Sequence, residues 1–152
     1  EMMGYLKNVS RDNARTPMQW DDSKNAGFTT GTPWIQVNAN YPKVNAKEQL
    51  SNPDSVFHYY QKLIKLRHEN EIIVYGDYEL LEPENEELFI YTRTLGNEQL
   101  MVLCNFTENY VNLPEEILSK IPEDADLLIA NYAQNESSLL RPYEAKVYRY
   151  HS

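Results

Sequence analysis

The hydrophobic period of this chain changes near residue 72, and that change restricts what it can fold into. Beyond it come "IIVYGDYELLE", "ELFIYTRTL", "QLMVLCNFT", "YVNLP", "ADLLIANY" and "EAKVYRYH", all short apolar or alternating runs. Alternation at every second residue gives a strand one apolar face. Between the runs sit "PENE", "GNE", "TEN" and "NES", made of residues that favour turns. Short runs joined by gaps of hairpin length argue for an antiparallel sandwich or barrel. "LPEEILSKIPED" has room for one short helical turn. Tyr75, Tyr78, Phe89, Tyr91, Phe106, Tyr110, Tyr148 and Tyr150 fall on these runs and read as core and cross-strand packing.

Immediately before the change, "NPDSVFHYYQKLIKLRHEN" predicts a helix over about 53–70. Asn52 can cap it, Pro53 suits the first helical position, and Asp54 puts negative charge in the first turn. Val56, Phe57, Tyr60, Leu63 and Ile64 form one stripe at helical spacing, expected to pack on the β domain. Lys62, Lys65, Arg67 and His68 suit the C-terminal end of the dipole. Residues 1–52 read as loop: "KNAGFTTGTPW", "VNANYPKVN" and "SNPDS" are rich in Asn, Gly, Pro, Ser and Thr. A structureless stretch of that length is unusual in a compact domain. It is either functional or laid against a surface that other residues supply.

Composition removes several classes of function. Lys plus Arg is 14 against 23 Asp plus Glu, a net charge of −9. Such a chain has no broad cationic footprint for nucleic acid or anionic lipid. No apolar run approaches the roughly 20 residues that span a bilayer. The single cysteine, Cys104, lies in "LMVLCNF" and reads as a small packing residue rather than a thiolate nucleophile. An absence of disulfides fits a reducing compartment, so a cytoplasmic location is expected. His58, His68 and His151 lack metal-ligand spacing, and Glu82, Glu84, Glu86 and Glu87 read as one solvated acidic turn. There is no glycine-rich phosphate loop, nucleophile elbow or Cys/His cluster, and no cofactor or metal is expected. The opening "EMMGYLKNVSRD" does not read as a translation start, so a fragment of something longer is expected.

One stretch remains, "SRDNARTPMQWDD" from Ser10 to Asp22. It has neither helical period nor strand alternation. Arg11 and Arg15 are planar five-donor groups flanked by carboxylates and amides that could hold them rigid. Two readings stay open on the residues alone: an ion-paired structural loop, or a contact to a polyol or carboxylate ligand.

"SRDNARTPMQWDDSKNAGFTTGTPWIQVNANY" closely resembles a stretch of the oligo-1,6-glucosidase / α-glucosidase group of the α-amylase superfamily, glycoside hydrolase family 13. "DSVFHYYQKLIKLRHENEIIVYGDYELL" and "LRPYEAKVYRY" resemble the same group in the same order. The resemblance implies a mainly β chain. A C-terminal antiparallel β-sandwich over 72–152 would follow the last loop and last helix of a (β/α)8 barrel over 1–71. It implies that the nucleophile aspartate, the acid/base glutamate and the stabilising aspartate all lie upstream, so no catalytic residue is expected here. It places Arg11 at the 4-hydroxyl of the terminal glucose and Arg15 at the border of that pocket. Asp12, Asn13, Gln19 and Trp20 would support the loop. The implied partners are an α-linked glucose oligosaccharide and the missing N-terminal barrel of the same enzyme. The implied activity is retaining α-glucosidase in the parent and none in this piece alone. A stand-alone carbohydrate-binding β module, a sucrose isomerase and a trehalose-6-phosphate hydrolase remain as alternatives.

Overall fold

A computed structural model describes residues 11–133 and 138–151, apart from the side chains at 11 and 13. The chain forms two compact units, Glu1–Leu63 and Ile64–Ser152.

The second unit is built on a five-stranded antiparallel sheet in the order β1-β2-β3-β7-β5. Its strands are β1 (Asp77–Leu81), β2 (Leu88–Leu95), β3 (Glu98–Asn105), β5 (Asp126–Ala130) and β7 (Ala145–His151). β4 (Val111–Asn112) and β6 (Leu139–Leu140) form a small second sheet. Val111, Leu113, Ile117 and Leu140 from this smaller layer share one core with Leu88, Ile90, Met101, Leu103, Tyr148 and Tyr150 from the inner face of the large sheet. The result is a mainly antiparallel two-layer β domain, as the alternating runs require. The β2–β3 hairpin pairs Leu95 with Glu98, leaving Gly96 and Asn97 as its loop. Gly96 takes φ +63 there, the positive φ that a type II′ turn needs at its first position.

"LPEEILSKIPED" supplies α4 (Glu115–Leu118), the short turn expected of it. "IIVY" differs from the strand reading and forms a one-turn helix, α3 (Ile72–Tyr75). Its carbonyls explain the switch. The Arg93 guanidinium donates to the carbonyls of Ile72 at 3.1 Å and Gly76 at 2.7 Å. A side chain on β2 thereby takes the exit carbonyl of Gly76 and adds a second bond to the Ile72 carbonyl, which already accepts from the Gly76 N–H at 3.0 Å. A Cβ at Gly76 would stand 2.6 Å from the Ile72 carbonyl, so this tight exit requires glycine.

The helix expected over 53–70 is present as α2 (Val56–Glu69), but it starts later. Asn52 is taken by the preceding element: its N–H donates to the Glu48 carbonyl, and its Oδ1 accepts from the Asp54 N–H. Ser55 takes over at the start, its Oγ accepting from the His58 N–H at 3.4 Å. The expectation that the stripe is packed away fails, because α2 buries none of its residues. Val56 and Tyr60 are well over half exposed.

The expected structureless loop is also corrected. It contains α1 (Ala46–Ser51) and two 3₁₀ turns, Arg11–Arg15 and Lys24–Gly27. The start of α1 was readable in "NAKE", because Asn45 Oδ1 accepts from the Glu48 N–H at 2.9 Å, three residues on.

Candidate functional site

The motif around Arg11 and Arg15 is the candidate site, and it belongs to the first unit. Arg11 to Arg15 form a single 3₁₀ turn with Asp12 in its first turn and Arg15 at its end. The turn puts the backbone of both arginines on one short 3₁₀ element. The side chain of Arg11 lies outside the described residues, as does that of Asn13. Arg15 is exposed and borders an open cavity of about 320 Å³, together with Pro17, Met18, Phe28, Trp34 and Ile35. Among the described residues the cavity thus sets one exposed cation, with Thr16, against an apolar and aromatic wall. This set can hydrogen-bond a polyol through the guanidinium and stack on its C–H face.

The wall is held by an internal lock. Asn25, Ala26 and Gly27 take φ values of +57, +58 and +67, three consecutive left-handed residues. Only glycine adopts that region freely, and asparagine tolerates it. Ala26 is held there although it has a Cβ; it is fully buried, and its carbonyl accepts from the N–H groups of Trp20 at 2.9 Å and Asp21 at 3.3 Å. Asn25 Nδ2 donates onward to the carbonyls of Thr29 at 3.0 Å and Gly31 at 2.8 Å. Asp21 closes the turn from the other side, accepting from both the hydroxyl and the backbone N–H of Ser23. The Ser23 side-chain bond, then its backbone bond, hold the Asp21 carboxyl below the usual carboxylate range.

Gln19 and Trp20 anchor the next segment. Their carbonyls accept from the Ala46 and Lys47 N–H groups at 2.9 and 3.0 Å, at the start of α1. Gln19 Nε2 also donates to Asn40 Oδ1 and the Val44 carbonyl. Lys47 pairs with Asp22 at 3.2 Å, a solvated contact of small energetic worth. Gln19 and Trp20 therefore brace the loop through their backbone, and Gln19 through its side chain as well. The sequence reading missed Asn25, Ala26 and Phe28; the Asn and Gly of "KNAG" were the available signal for a left-handed turn.

Elsewhere the chain offers less. Among the described residues no group of three His, Cys, Asp or Glu side chains could hold a metal ion. No helix among the described residues is long and apolar enough to cross a membrane. Cys104 is half-buried, and desolvation pushes its thiol up, away from nucleophile behaviour. Tyr78, Tyr91, Phe89 and Phe106 make a chain of ring contacts on the outer face of the large sheet. Their planes meet at 40°, 54° and 70°. Rings so tilted give cross-strand packing rather than the coplanar platform a stand-alone sugar-binding module would present.

Residues 1–76 match the family model described as alpha amylase, catalytic domain. The chain is 53% identical over 156 aligned residues to the oligo-1,6-glucosidase of Parageobacillus thermoglucosidasius, covering 98% of this chain and 27% of that one. Among solved structures it resembles trehalose-6-phosphate hydrolase of Bacillus licheniformis, at 44% identity and a TM-score of 0.86 over 97% of this chain and 27% of that one. It also resembles isomaltulose synthase of Klebsiella sp. LX3, at 42% identity and a TM-score of 0.83 over 95% of this chain and 27% of that one. The chain thus spans about a quarter of the length of the relatives it matches.

Proposed function

This chain belongs to the α-amylase family, and from that premise we propose that it is the C-terminal part of a retaining α-glucosidase of the oligo-1,6-glucosidase type. The likeness to an oligo-1,6-glucosidase across almost the whole chain carries this reading. The substrate is a short α-linked glucose oligosaccharide, and the enzyme works in the cytoplasm. Residues 1–71 complete a (β/α)8 barrel, and residues 72–152 form its C-terminal β-sandwich.

The chemistry proceeds through two carboxylates, a nucleophile and an acid/base, supplied by the rest of the barrel. This chain contributes binding. Arg11 holds the 4-hydroxyl of the terminal glucose, and Arg15 braces the pocket border beside Phe28 and Trp34. The left-handed lock at Asn25–Gly27 keeps that border in place before substrate arrives, which lowers the ordering cost of binding. Alone, the 152-residue chain is catalytically inert.

The test joins this chain to the remainder of the Parageobacillus thermoglucosidasius relative. The joined enzyme is expected to hydrolyse isomaltose and p-nitrophenyl α-glucoside, and the chain alone neither. Arg11→Ala is expected to lower kcat/KM by roughly 10- to 1,000-fold, or ~1.4–4 kcal/mol, at an unchanged melting temperature. Unchanged kcat/KM would remove Arg11 from the site. The resemblance to a trehalose-6-phosphate hydrolase and an isomaltulose synthase supports a second reading, the same scaffold with a different reaction. Because the reaction is set outside this chain, the protein that carries it natively decides the second reading: preference for trehalose-6-phosphate, or conversion of sucrose to an isomer, over hydrolysis of isomaltose would establish it.

A further inference from the structure

We propose that Trp34 is a stacking residue shared by two cavities, and that the second of them takes the glucosyl units that follow the terminal glucose of a longer α-glucan. The inference rests on the reading of Arg15 as the border of the terminal-glucose pocket, and it extends that pocket along the substrate.

The second cavity lies in the first unit, is open to solvent and has a volume of about 680 Å³. Its described lining comes from one stretch of chain, residues 24–42. Trp34 lines it and also lines the cavity that Arg15 borders, so one indole serves both. That side chain is 99% exposed, which leaves its ring open to a ligand. Tyr41 adds a second, partly buried ring, and Lys24 and Gln36 add exposed polar ends. Among the described residues, Lys24 is the one charged group of this lining, and no carboxylate joins it. The set suits an uncharged polyol. A pyranose has a C–H face that stacks on an aromatic ring, and a rim of hydroxyls that accept from an ammonium or an amide. The volume falls in the range of roughly 300–1,000 Å³ that small-molecule sites occupy, room for about two sugar rings.

The walls are tied before any ligand arrives. Asn25 Nδ2 holds the carbonyls of Thr29 and Gly31, which sets the course of the chain into Trp34. On the Tyr41 side, the Tyr41 N–H donates to the Asn38 carbonyl at 3.2 Å, and Gln19 Nε2 donates to Asn40 Oδ1 at 3.0 Å. Asn45, itself buried, donates from Nδ2 to the Tyr41 carbonyl at 2.8 Å. A backbone fixed in this way has little ordering left to do on binding. Contacts made away from the scissile bond favour a substrate long enough to reach them. The two cavities therefore predict a preference for chains longer than isomaltose.

The 152-residue chain is titrated with isomaltotetraose and followed by NMR. The expected result is saturable shifts at the Trp34 indole N–H and at Lys24, Gln36 and Tyr41. Trp34→Ala and Tyr41→Ala should each weaken binding at least tenfold at an unchanged melting temperature. No saturable shift, or shifts that both variants retain, overturns the site. So do equal shifts with glycerol, a polyol that has no ring to stack. The enzyme joined to the remainder of the Parageobacillus thermoglucosidasius relative then places the cavity on the substrate path. Acrylamide should quench the share of emission that Trp34→Phe removes, and a shielded share overturns the proposal. Tyr41→Ala should lower kcat/KM for isomaltotetraose at least tenfold more than for isomaltose, which reaches the second cavity with one ring at most. An equal loss for both overturns the assignment to the later glucosyl units. Saturable binding by the chain, with a joined enzyme that hydrolyses no α-glucoside, overturns the activity reading and supports the glucan site.

Discussion

Lys146 and Glu144 form a buried ion pair inside the β domain, and breaking it should be the most damaging polar substitution in the chain. Lys146 lies on the inner face of β7, and Glu144 sits in the turn just before the strand. Their side chains are 0% and 1% exposed, and Nζ lies 3.8 Å from Glu144 Oε1. Leu103 stands opposite Lys146 in the ladder, within the buried sheet. At an effective dielectric of about 20 the attraction at this separation is ~4 kcal/mol. Lys146→Met removes the cation and strands the carboxylate. Glu144 Oε2 still accepts from the Arg141 N–H at 2.8 Å, but Oε1 has no hydrogen-bond partner. Removing one partner of such a pair costs about 3–5 kcal/mol. The unit Ile64–Ser152 is of a size expected to have about 4–13 kcal/mol in all, so the loss is about a quarter of it or more. The melting temperature, followed by circular dichroism, should fall by at least ~12 °C. The double variant Lys146→Met/Glu144→Gln removes both charges and keeps an acceptor for Arg141. It should recover more than half of the loss. A single variant that melts within ~4 °C of the parent, or a double variant no better than the single, would refute this account of the pair.

Three further outcomes follow from the geometry. Gly27→Ala puts a Cβ 2.9 Å from Asp21 Oδ1 at φ +67, so the loop lock should loosen, with faster amide exchange at Trp20 and Asp21 and a loss of ~1–2 kcal/mol in urea unfolding. The Asp21 carboxyl is held below its ordinary value by Ser23, so its contribution is present above the unfolded carboxylate range and is lost as pH falls through the lowered value. Carboxyl NMR titration should show Ser23→Ala raising the Asp21 midpoint part of the way towards that of a free aspartate, and an unmoved midpoint would remove the Ser23 hydroxyl as the cause. Cys104, whose thiol burial pushes up, should react with a disulfide reagent at pH 8 at least tenfold more slowly than a free thiol, and at the free-thiol rate only after unfolding.

The candidate site was legible only in part. Arg11 and Arg15 stood out because a dense polar stretch without period calls for a reason, and the local turn that carries them is a short-range feature. The lock beside them was not legible. Ala26 is a poor left-handed residue, and it takes that conformation because its carbonyl is claimed by Trp20 and Asp21. "IIVY" reads as strand by composition, yet Arg93, some twenty residues later, tips it to a helical turn by taking its carbonyls.

What the sequence by itself determined is periodicity and punctuation: alternation made the strands, Gly96 made the hairpin, and the stripe of Val56 to Ile64 made the helix. Those depend on backbone geometry within a few residues. Which side of a strand becomes core was decided by the tertiary structure. In "EAKVYRY" the charged Glu144 and Lys146 are buried and Ala145 and Val147 are not, the reverse of what hydropathy alone assigns. The reason is register. Tyr148 and Tyr150 share the face of Glu144 and Lys146, and the smaller sheet closes over that face, so the two charges go in with the rings and pair there.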